Sequence, residues 1–132
     1  MKKTRISKIN NKKNMKKQKV YISGAMTGWP RNVYQLKFGK AEKILRDNGY
    51  ETINPCRVWS CRWPWLYRIV GYDLTLLYDL WLIMKRADKI YYIPGWSYSR
   101  GCQLEFAVAS RYGKHELNIE LKKKIDQAIN NL

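Results

Sequence analysis

The segment VYISGAMTG, residues 20–28, contains the first element of the predicted fold. Residues 20–23 form a short apolar run that ends at Gly24, which predicts a strand leading into a glycine-containing loop. Apolar residues then recur at helical spacing over residues 33–48, and Gly49 is typical of a helix end. Residues 50–54 follow as a second strand that Pro55 ends, so this part of the chain is predicted to form a βαβ unit.

The same alternation continues along the rest of the chain. We expect a loop over residues 56–68, a helix over about 67–86, a strand over 89–93 and a helix over 100–112 with Ser99 as its N-cap. A short strand near residues 117–119 and an amphipathic helix over 121–132 complete the pattern. Strands that alternate with helices predict an α/β fold in which a parallel sheet carries helices on both faces.

The positive charge is concentrated near the N-terminus. The chain has 26 Lys and Arg against 10 Asp and Glu, a formal net charge of +16, and residues 1–19 hold nine of the basic residues and no acidic one. We therefore expect residues 1–18 to form a disordered basic tail ahead of one domain over residues 19–132. Such a tail can contact nucleic acid nonspecifically through residues 2–19, and a merely solubilising role is an equal alternative.

Several classes of protein do not fit the composition. No apolar run approaches the roughly 20 residues that span a bilayer, and the basic N-terminus lacks the apolar stretch of a signal peptide. Cys56, Cys61 and Cys102 cannot all pair with one another, and the one histidine, His115, lies far from the first two. We expect an intracellular protein with reduced thiols and no metal site.

Candidate binding groups lie in three loops, residues 24–30, 55–65 and 94–101, which should meet at the carboxyl edge of the sheet. The loop over 24–30 has two glycines and the Thr27 hydroxyl, so its backbone amides can approach a phosphate or sugar. It matches neither a P-loop nor a Gly-x-Gly-x-x-Gly pattern, and an ordinary strand-to-helix turn is an equal interpretation.

The segment SYSRGCQLE, residues 97–105, offers more specific chemistry. With Ser99 as N-cap, the amides of Gly101 and Cys102 are expected to point outward at the positive end of a helix dipole, which favours an anion. Glu105 lies within about two turns of this end, and the dipole is expected to keep its carboxylate ionised, as a nucleophile requires. A glutamate facing water is the alternative, although its neighbours form an apolar run.

A second carboxylate is available on the preceding helix. Asp73 and Asp79 are six residues apart and do not share a helix face, so at most one is expected to reach the site. The loop with Trp59 also carries arginines, and an aromatic loop beside a pocket can stack on a base. Packing or a subunit interface is an equal interpretation of these aromatic residues.

Four motifs, in this order and spacing, resemble the nucleoside 2-deoxyribosyltransferase-like family, and in particular its small bacterial and phage branch. They are VYISGAMTG at 20–28, GYETINP at 49–55, ADKIYYIPGW at 87–96 and SRGCQLE at 99–105. The resemblance covers roughly residues 19–113. It implies a flavodoxin- or Rossmann-like three-layer sandwich with four to five parallel strands, and a cytoplasmic location in a bacterial cell or phage-infected host. A homodimer is expected from the family and from the surplus of aromatic residues.

The resemblance implies cleavage of the N-glycosidic bond of a 2-deoxynucleoside or its 5′-monophosphate through a covalent deoxyribosyl-enzyme. Glu105 matches the nucleophile. The family also has an Asp-Leu pair before the third strand, and Asp79 matches this aspartate better than Asp73 does, although Asp79 lies one residue further from the strand than in the family. Transferases of free nucleosides carry an aspartate where this chain has Ser99, and a serine resembles the 5′-monophosphate glycosidases. Ala25 replaces a serine that the glycosidases have in the first loop.

The expected substrate is thus a deoxynucleotide, with no cofactor and no metal. The candidate catalytic residues are Glu105 and either Asp79 or Asp73. Candidate substrate and phosphate contacts are Ser23, Gly24, Met26, Thr27, Gly28, Ser99, Arg100 and Gly101, and candidate base or sugar contacts are Tyr21, Trp59 and Trp96. Two alternatives stay open: a nucleotide sensor or sequestering protein on the same fold, and a nucleic-acid-associated protein that uses the basic tail.

Overall fold

The computed structural model describes residues 17–26, 28–57 and 64–132. Within these ranges the strands are β1 (Lys19–Ser23), β2 (Glu51–Ile53), β3 (Lys89–Tyr92) and β4 (His115–Glu116). The helices are α1 (Arg31–Asp47), α2 (Pro64–Lys85), α3 (Arg100–Arg111) and α4 (Ile119–Asn130). The four described strands form one parallel sheet in the order β2-β1-β3-β4. The predicted α/β class, a Rossmann-like parallel sheet between helices, is confirmed.

Alternating side chains of the strands supply two separate cores. Val20 and Ile22 of β1 point to one face of the sheet, where they pack with apolar residues of α1 and α4. Tyr21 of β1 points to the other face, where it packs with Ile83 of α2 and Ala109 of α3. Because successive side chains of a strand alternate between faces, Ser23 shares the α2–α3 face with Tyr21.

The strand order places a topological switch point at the carboxyl ends of β1 and β3. From β1 the chain crosses first to β2 on one side, and β3 then joins β1 on the other side, so the order reverses at β1. The register pairs Ser23 with Tyr92 at the carboxyl ends of these two strands. In open α/β sheets a ligand binds at such a switch point.

Helix α2 differs from its prediction in two ways. It begins at Pro64 rather than near residue 67, and proline is well suited to a first helical position. It is also interrupted at Gly71, whose φ of 81° and ψ of 167° are not helical. Such a φ favours glycine, and the Thr75 hydroxyl donates a hydrogen bond of 3.1 Å to the Gly71 carbonyl beyond the break.

The C-terminal part differs as well. The last strand is His115–Glu116 rather than residues 117–119, since these two residues pair with Lys89 and Ile90 of β3, and Leu117 after them packs in the first core. Helix α4 begins at Ile119, where the Asn118 side chain accepts a hydrogen bond of 2.8 Å from the Leu121 amide. Asparagine is a strong N-cap, so this start could have been predicted.

Some sequence expectations lie outside the described residues. These are residues 1–16 of the basic tail, together with Thr27, Trp59 and Cys61. Cys102 carries a free thiol. No helix in the described ranges is long and apolar enough to cross a membrane.

Candidate functional site

A cluster of polar side chains is buried at the carboxyl ends of β1 and β3. We call Tyr21, Ser23, Asp79 and Glu105 the polar cluster. Tyr21 and Ser23 are fully buried, Glu105 is 6% exposed, and Asp79 is half-buried. The strand alternation directs Tyr21 and Ser23 towards α2 and α3, and Glu105 lies on the buried face of α3 with Cys102 and Ala109.

Each member of the polar cluster has an atom that is buried without a hydrogen-bond partner. These atoms are Tyr21 Oη, Ser23 Oγ, Asp79 Oδ1 and Glu105 Oε2, and none has a partner within the described part of the chain. A buried polar atom without a partner costs about 1–3 kcal/mol, so such atoms are rare in folded proteins. Four of them around two carboxyl groups are the pattern expected of a functional site.

Burial raises the pKa of Glu105 to about 8. The nearby hydroxyls of Tyr21 and Ser23 lower this pKa without forming well-aligned hydrogen bonds, and the charge of Asp79 raises it. The expectation that the helix dipole keeps Glu105 ionised is therefore wrong for the free protein. A dipole contributes about 0.3–1 kcal/mol, whereas removing a carboxylate from water costs several kcal/mol.

Asp79 is the aspartate that lies beside Glu105. It shares the inner face of α2 with the buried residues Thr75 and Ile83, four positions before and after it. Burial raises the pKa of Asp79 to about 7. Asp73 is exposed on another face of the helix, so of the two aspartates Asp79 is the one that lies near Glu105.

The N-terminus of α3 adjoins the polar cluster. Ser99 is the N-cap as predicted, and its Oγ accepts a hydrogen bond of 3.4 Å from the Cys102 amide. The expectation that the Cys102 amide is free is therefore wrong, while the Ser99 hydroxyl keeps its own proton to donate. The Gln103 side chain donates a 2.6 Å hydrogen bond to the Ser97 carbonyl, which ties the preceding turn to the helix. Arg100 is exposed at the same end.

The loop after β1 lies close against the core. A Cβ on Gly24 would be 2.8 Å from Ile93 Cδ1 and 3.0 Å from Phe38 Cζ, so glycine is required at this position. The Met26 side chain packs on the first core, which accounts for its position without a ligand. Gly28 has a φ of 86° and open space around it.

A family model described as a domain of unknown function, DUF4406, matches residues 18–117. The chain belongs to the DUF4406 family. The match spans β1 through Leu117 and includes every member of the polar cluster. No curated protein and no solved structure matches the chain.

In this DUF4406 domain, Trp96 has a packing role. Its ring lies 5.2 Å from that of Phe106 and 4.6 Å from that of Tyr92, measured between ring centroids. The predicted contact of Trp96 with a base stays a prediction. Fully buried Tyr21 can reach a ligand only through its hydroxyl group.

Three residues near the site were missed from the sequence. Tyr92 shares the strand face of Ser23 by register, and burial, Glu116 and Glu105 raise its pKa. Cys102 lies beside Ser23, Ser99 and Glu105, and burial raises the pKa of its thiol. Strand alternation and the helical spacing from Glu105 could have indicated both. Tyr72 directly follows the break at Gly71, which no sequence pattern signalled, and its hydroxyl oxygen lies close beside Gly101 in the first turn of α3.

Elsewhere the described residues offer no comparable site. No group of three or more His, Cys, Asp or Glu in those ranges could hold a metal ion. An open cavity of about 300 Å³ is lined by Asn48, Tyr50, Asn118, Glu120, Leu121 and Lys124. None of these belongs to the polar cluster, and no carboxyl pair faces that cavity, so we assign the candidate site to the cluster.

Proposed function

We propose that this DUF4406 chain cleaves the N-glycosidic bond of a 2-deoxynucleoside 5′-monophosphate, as a hydrolase or a transferase. The observation that carries the proposal is the juxtaposition of Glu105 and Asp79 among buried polar atoms without partners. Most enzymes that cleave glycosidic bonds use two carboxyl groups at one site, one to attack and one to handle the proton. The resemblance of four motifs to the nucleoside 2-deoxyribosyltransferase-like family supports the same chemistry.

In the free protein the pKa of Glu105 lies above that of Asp79, so the proton of the pair rests mainly on Glu105 and has to pass to Asp79 when the substrate binds. Near neutral pH, with pKa values of about 8 for Glu105 and about 7 for Asp79, the pair is expected to hold a proton. We assign that proton to Asp79 in the reacting complex and the charge to Glu105. The Tyr21 and Ser23 hydroxyls support the charged form of Glu105, since both lower its pKa.

In the first step a carboxylate oxygen of Glu105 bonds to the anomeric carbon while the N-glycosidic bond breaks. The electron pair of the broken bond goes to the base nitrogen. The base takes the proton of Asp79, either at this nitrogen or at another of its atoms. In the second step water or another base attacks the anomeric carbon and its proton returns to Asp79. Glu105 then leaves as a carboxylate, so the enzyme regains its starting state.

The start of α3 is proposed to hold the 5′-phosphate. Ser99 can donate its hydroxyl proton, the Gly101 amide lies in the first turn, and Arg100 adds positive charge. An aspartate in place of Ser99 would repel a phosphate dianion, whereas serine does not.

The proposal is tested by incubation with each common 2′-deoxynucleoside 5′-monophosphate, followed by chromatography of the free base. We expect base release by the wild-type protein and at least a thousandfold loss in Glu105→Gln, since the nucleophile is removed. Exposed Glu120→Gln on α4 is the matched control and should retain full activity. Mass spectrometry of the intact protein should detect the covalent intermediate, in which the Glu105 carboxylate is bonded to the anomeric carbon of 2-deoxyribose 5-phosphate.

Release of base by Glu105→Gln at the wild-type rate would refute the assignment of the nucleophile. Absence of release from every substrate would refute the enzymatic proposal. Tight binding of an intact nucleotide without turnover over hours would then favour the sensor or sequestering protein.

We also propose that the chain forms a homodimer through the outer face of α2. Leu74, Leu77, Tyr78 and Trp81 recur there at helical spacing, and each is between 36% and 59% exposed. Between residues 74 and 84 the one charged side chain is Asp79, which faces inward. A helix that is apolar on all sides is typical of one covered on all sides. Among the described residues, α3 and the strand residues Tyr21 and Ile90 pack against the inner side of α2.

A second copy of the chain fits the pattern of this face. The four side chains offer on the order of 400 Å², about half of the roughly 800 Å² per partner of a stable interface, so neighbouring surface has to supply the rest. Two copies of α2 can pack antiparallel with these stripes against each other. Light scattering after gel filtration should report a dimer for the wild type and a monomer for Leu77→Glu. Leu36→Glu is the control on α1, where Leu36 is equally exposed. A monomeric wild type, or a dimeric Leu77→Glu, would refute this interface.

A further inference from the structure

The backbone of Ser23 is held on both sides at the end of β1. Its carbonyl accepts a hydrogen bond of 2.8 Å from the Ile93 amide, and the register pairs Ser23 with Tyr92. The next residue, Gly24, has no room for a Cβ beside Ile93. Because one side-chain torsion places the serine oxygen, a fixed backbone leaves Ser23 Oγ only a few staggered positions. The sheet therefore determines where this hydroxyl lies.

Two groups of α3 lie next to the Ser23 hydroxyl. It is near enough to the Cys102 thiol and to the Glu105 carboxyl group to lower the pKa of both. Ser23 Oγ nevertheless makes no well-aligned hydrogen bond within the described part of the chain, and neither does Glu105 Oε2. A serine hydroxyl has one proton to donate, and a carboxylate is a much stronger acceptor than a thiol sulfur. Ionisation of Glu105 should therefore draw this proton to Oε2.

Neutral donors have to stabilise the charge of Glu105. Within the described ranges Glu105 forms no ion pair, and no cation is among the groups that shift its pKa. A carboxylate buried without a cation requires hydrogen-bond donors instead. The titratable groups that face Glu105 from the strands and helices around it are Tyr21, Asp79, Tyr92 and Cys102. Since none of these carries positive charge, the Ser23 hydroxyl is one of the few donors available to the carboxylate.

We propose that Ser23 is a positioning residue that donates its hydroxyl proton to Glu105 Oε2 in the reacting complex and leaves Oε1 to attack the anomeric carbon. This role rests on the proposed function of the site. In the first step Oε1 bonds to the anomeric carbon, and Oε2 becomes the carbonyl oxygen of the ester. In the second step the bond from Oε1 to the anomeric carbon breaks and negative charge returns to the carboxylate, where the Ser23 hydrogen bond stabilises it. A direct contact of Ser23 with the substrate is the alternative.

Removal of the hydroxyl in Ser23→Ala tests this role. We would follow the Glu105 carboxyl group by NMR titration and measure kcat and KM against pH for each common 2′-deoxynucleoside 5′-monophosphate. The pKa of Glu105 and the acid limb of the pH–rate profile should both rise by about one pH unit. At neutral pH kcat should fall about tenfold while KM stays nearly unchanged. Urea unfolding should show no loss of stability, since Ser23 Oγ has no partner in the free protein among the described residues.

Thr52→Val on β2 is the matched control. Thr52 Oγ1 is likewise buried without a hydrogen-bond partner in the described ranges, but the register of Thr52 with Val20 directs it to the first core. Valine has nearly the shape of threonine, so the variant removes a buried hydroxyl that does not face Glu105. The pKa of Glu105, the acid limb and kcat should all stay at their wild-type values.

The outcomes separate the role of Ser23 from the proposed function. If the wild type cleaves monophosphates and Ser23→Ala leaves the pKa of Glu105 and the acid limb in place, Ser23 has no such role and the proposed function stands. A raised KM with an unchanged pKa would assign Ser23 to the substrate instead. Equal shifts in Thr52→Val, or a marked loss of stability in Ser23→Ala, would also overturn the role. If the wild type cleaves no monophosphate, the proposed function fails and the role of Ser23 fails with it.

Discussion

Replacement of Glu105 by glutamine should stabilise the protein increasingly as the pH rises from 5 to 8. The folded state holds a proton on Glu105 up to a pKa of about 8, whereas the unfolded chain releases it near 4.5. Between these values the folded state binds more protons, so the free energy of unfolding falls as pH rises. The contribution of protonated Glu105 to the free energy of unfolding is fully present below pH 4.5 and is lost as pH rises through 8. At about 1.4 kcal/mol per pH unit, the carboxyl group costs up to about 4 kcal/mol by pH 8.

Glutamine has nearly the same shape and cannot ionise, so Glu105→Gln should escape this loss. Urea unfolding at pH 5, 6, 7 and 8 would follow the difference in unfolding free energy between variant and wild type. We expect this difference to grow in favour of the variant by about 1 kcal/mol or more per pH unit above pH 5. Glu120→Gln, at an exposed position, should track the wild type at every pH. A difference for Glu105→Gln that is constant across this range would refute the buried, protonated state of Glu105.

Two further predictions concern the partner of Glu105 and the first loop. Asp79→Asn should lower the pKa of Glu105, because the Asp79 charge raises it, and should thereby move the acid limb of the pH–rate profile to lower pH. The same variant should reduce the rate at least a hundredfold. Exposed Asp73→Asn should leave the profile unchanged, and an unshifted acid limb in Asp79→Asn would contradict the coupling. Gly24→Ala should destabilise the fold by about 1–3 kcal/mol in urea unfolding, because its methyl group would lie 2.8 Å from Ile93 Cδ1. Gly39→Ala, in α1 with open space around it, should be neutral or stabilising by up to about 1 kcal/mol, so equal effects of the two would contradict the packing of Gly24.

Local patterns were sufficient to predict most of the fold. The alternation of apolar runs, glycines and helical periodicity located β1, α1, β3 and α3, with ends within a few residues of the observed ones. Ser99 was recognised as an N-cap because capping depends on residues only three positions apart. The parallel sheet followed from the order of the elements, since parallel strands require a crossover between them.

Helix α2 shows where local patterns fail. Its outer residues Leu74, Leu77 and Trp81 have the periodicity of a core face, yet they are exposed. Periodicity identifies which side chains share a face and does not say which face the sheet covers. The break at Gly71 was missed because a single glycine is tolerated within a helix and interrupts it only when the surroundings favour the change.

The sequence by itself determined the class of fold, the chain order of its elements and the position of Glu105 near the start of a capped helix. These depend on neighbours a few positions apart, whose interactions are set by backbone geometry. The tertiary structure alone decided that Asp79 rather than Asp73 lies beside Glu105, that burial raises the pKa of both groups, and that Tyr72 lies over Gly101. Each of these depends on distance and solvent exclusion between residues far apart in the chain, which exist only once the helices pack on the sheet.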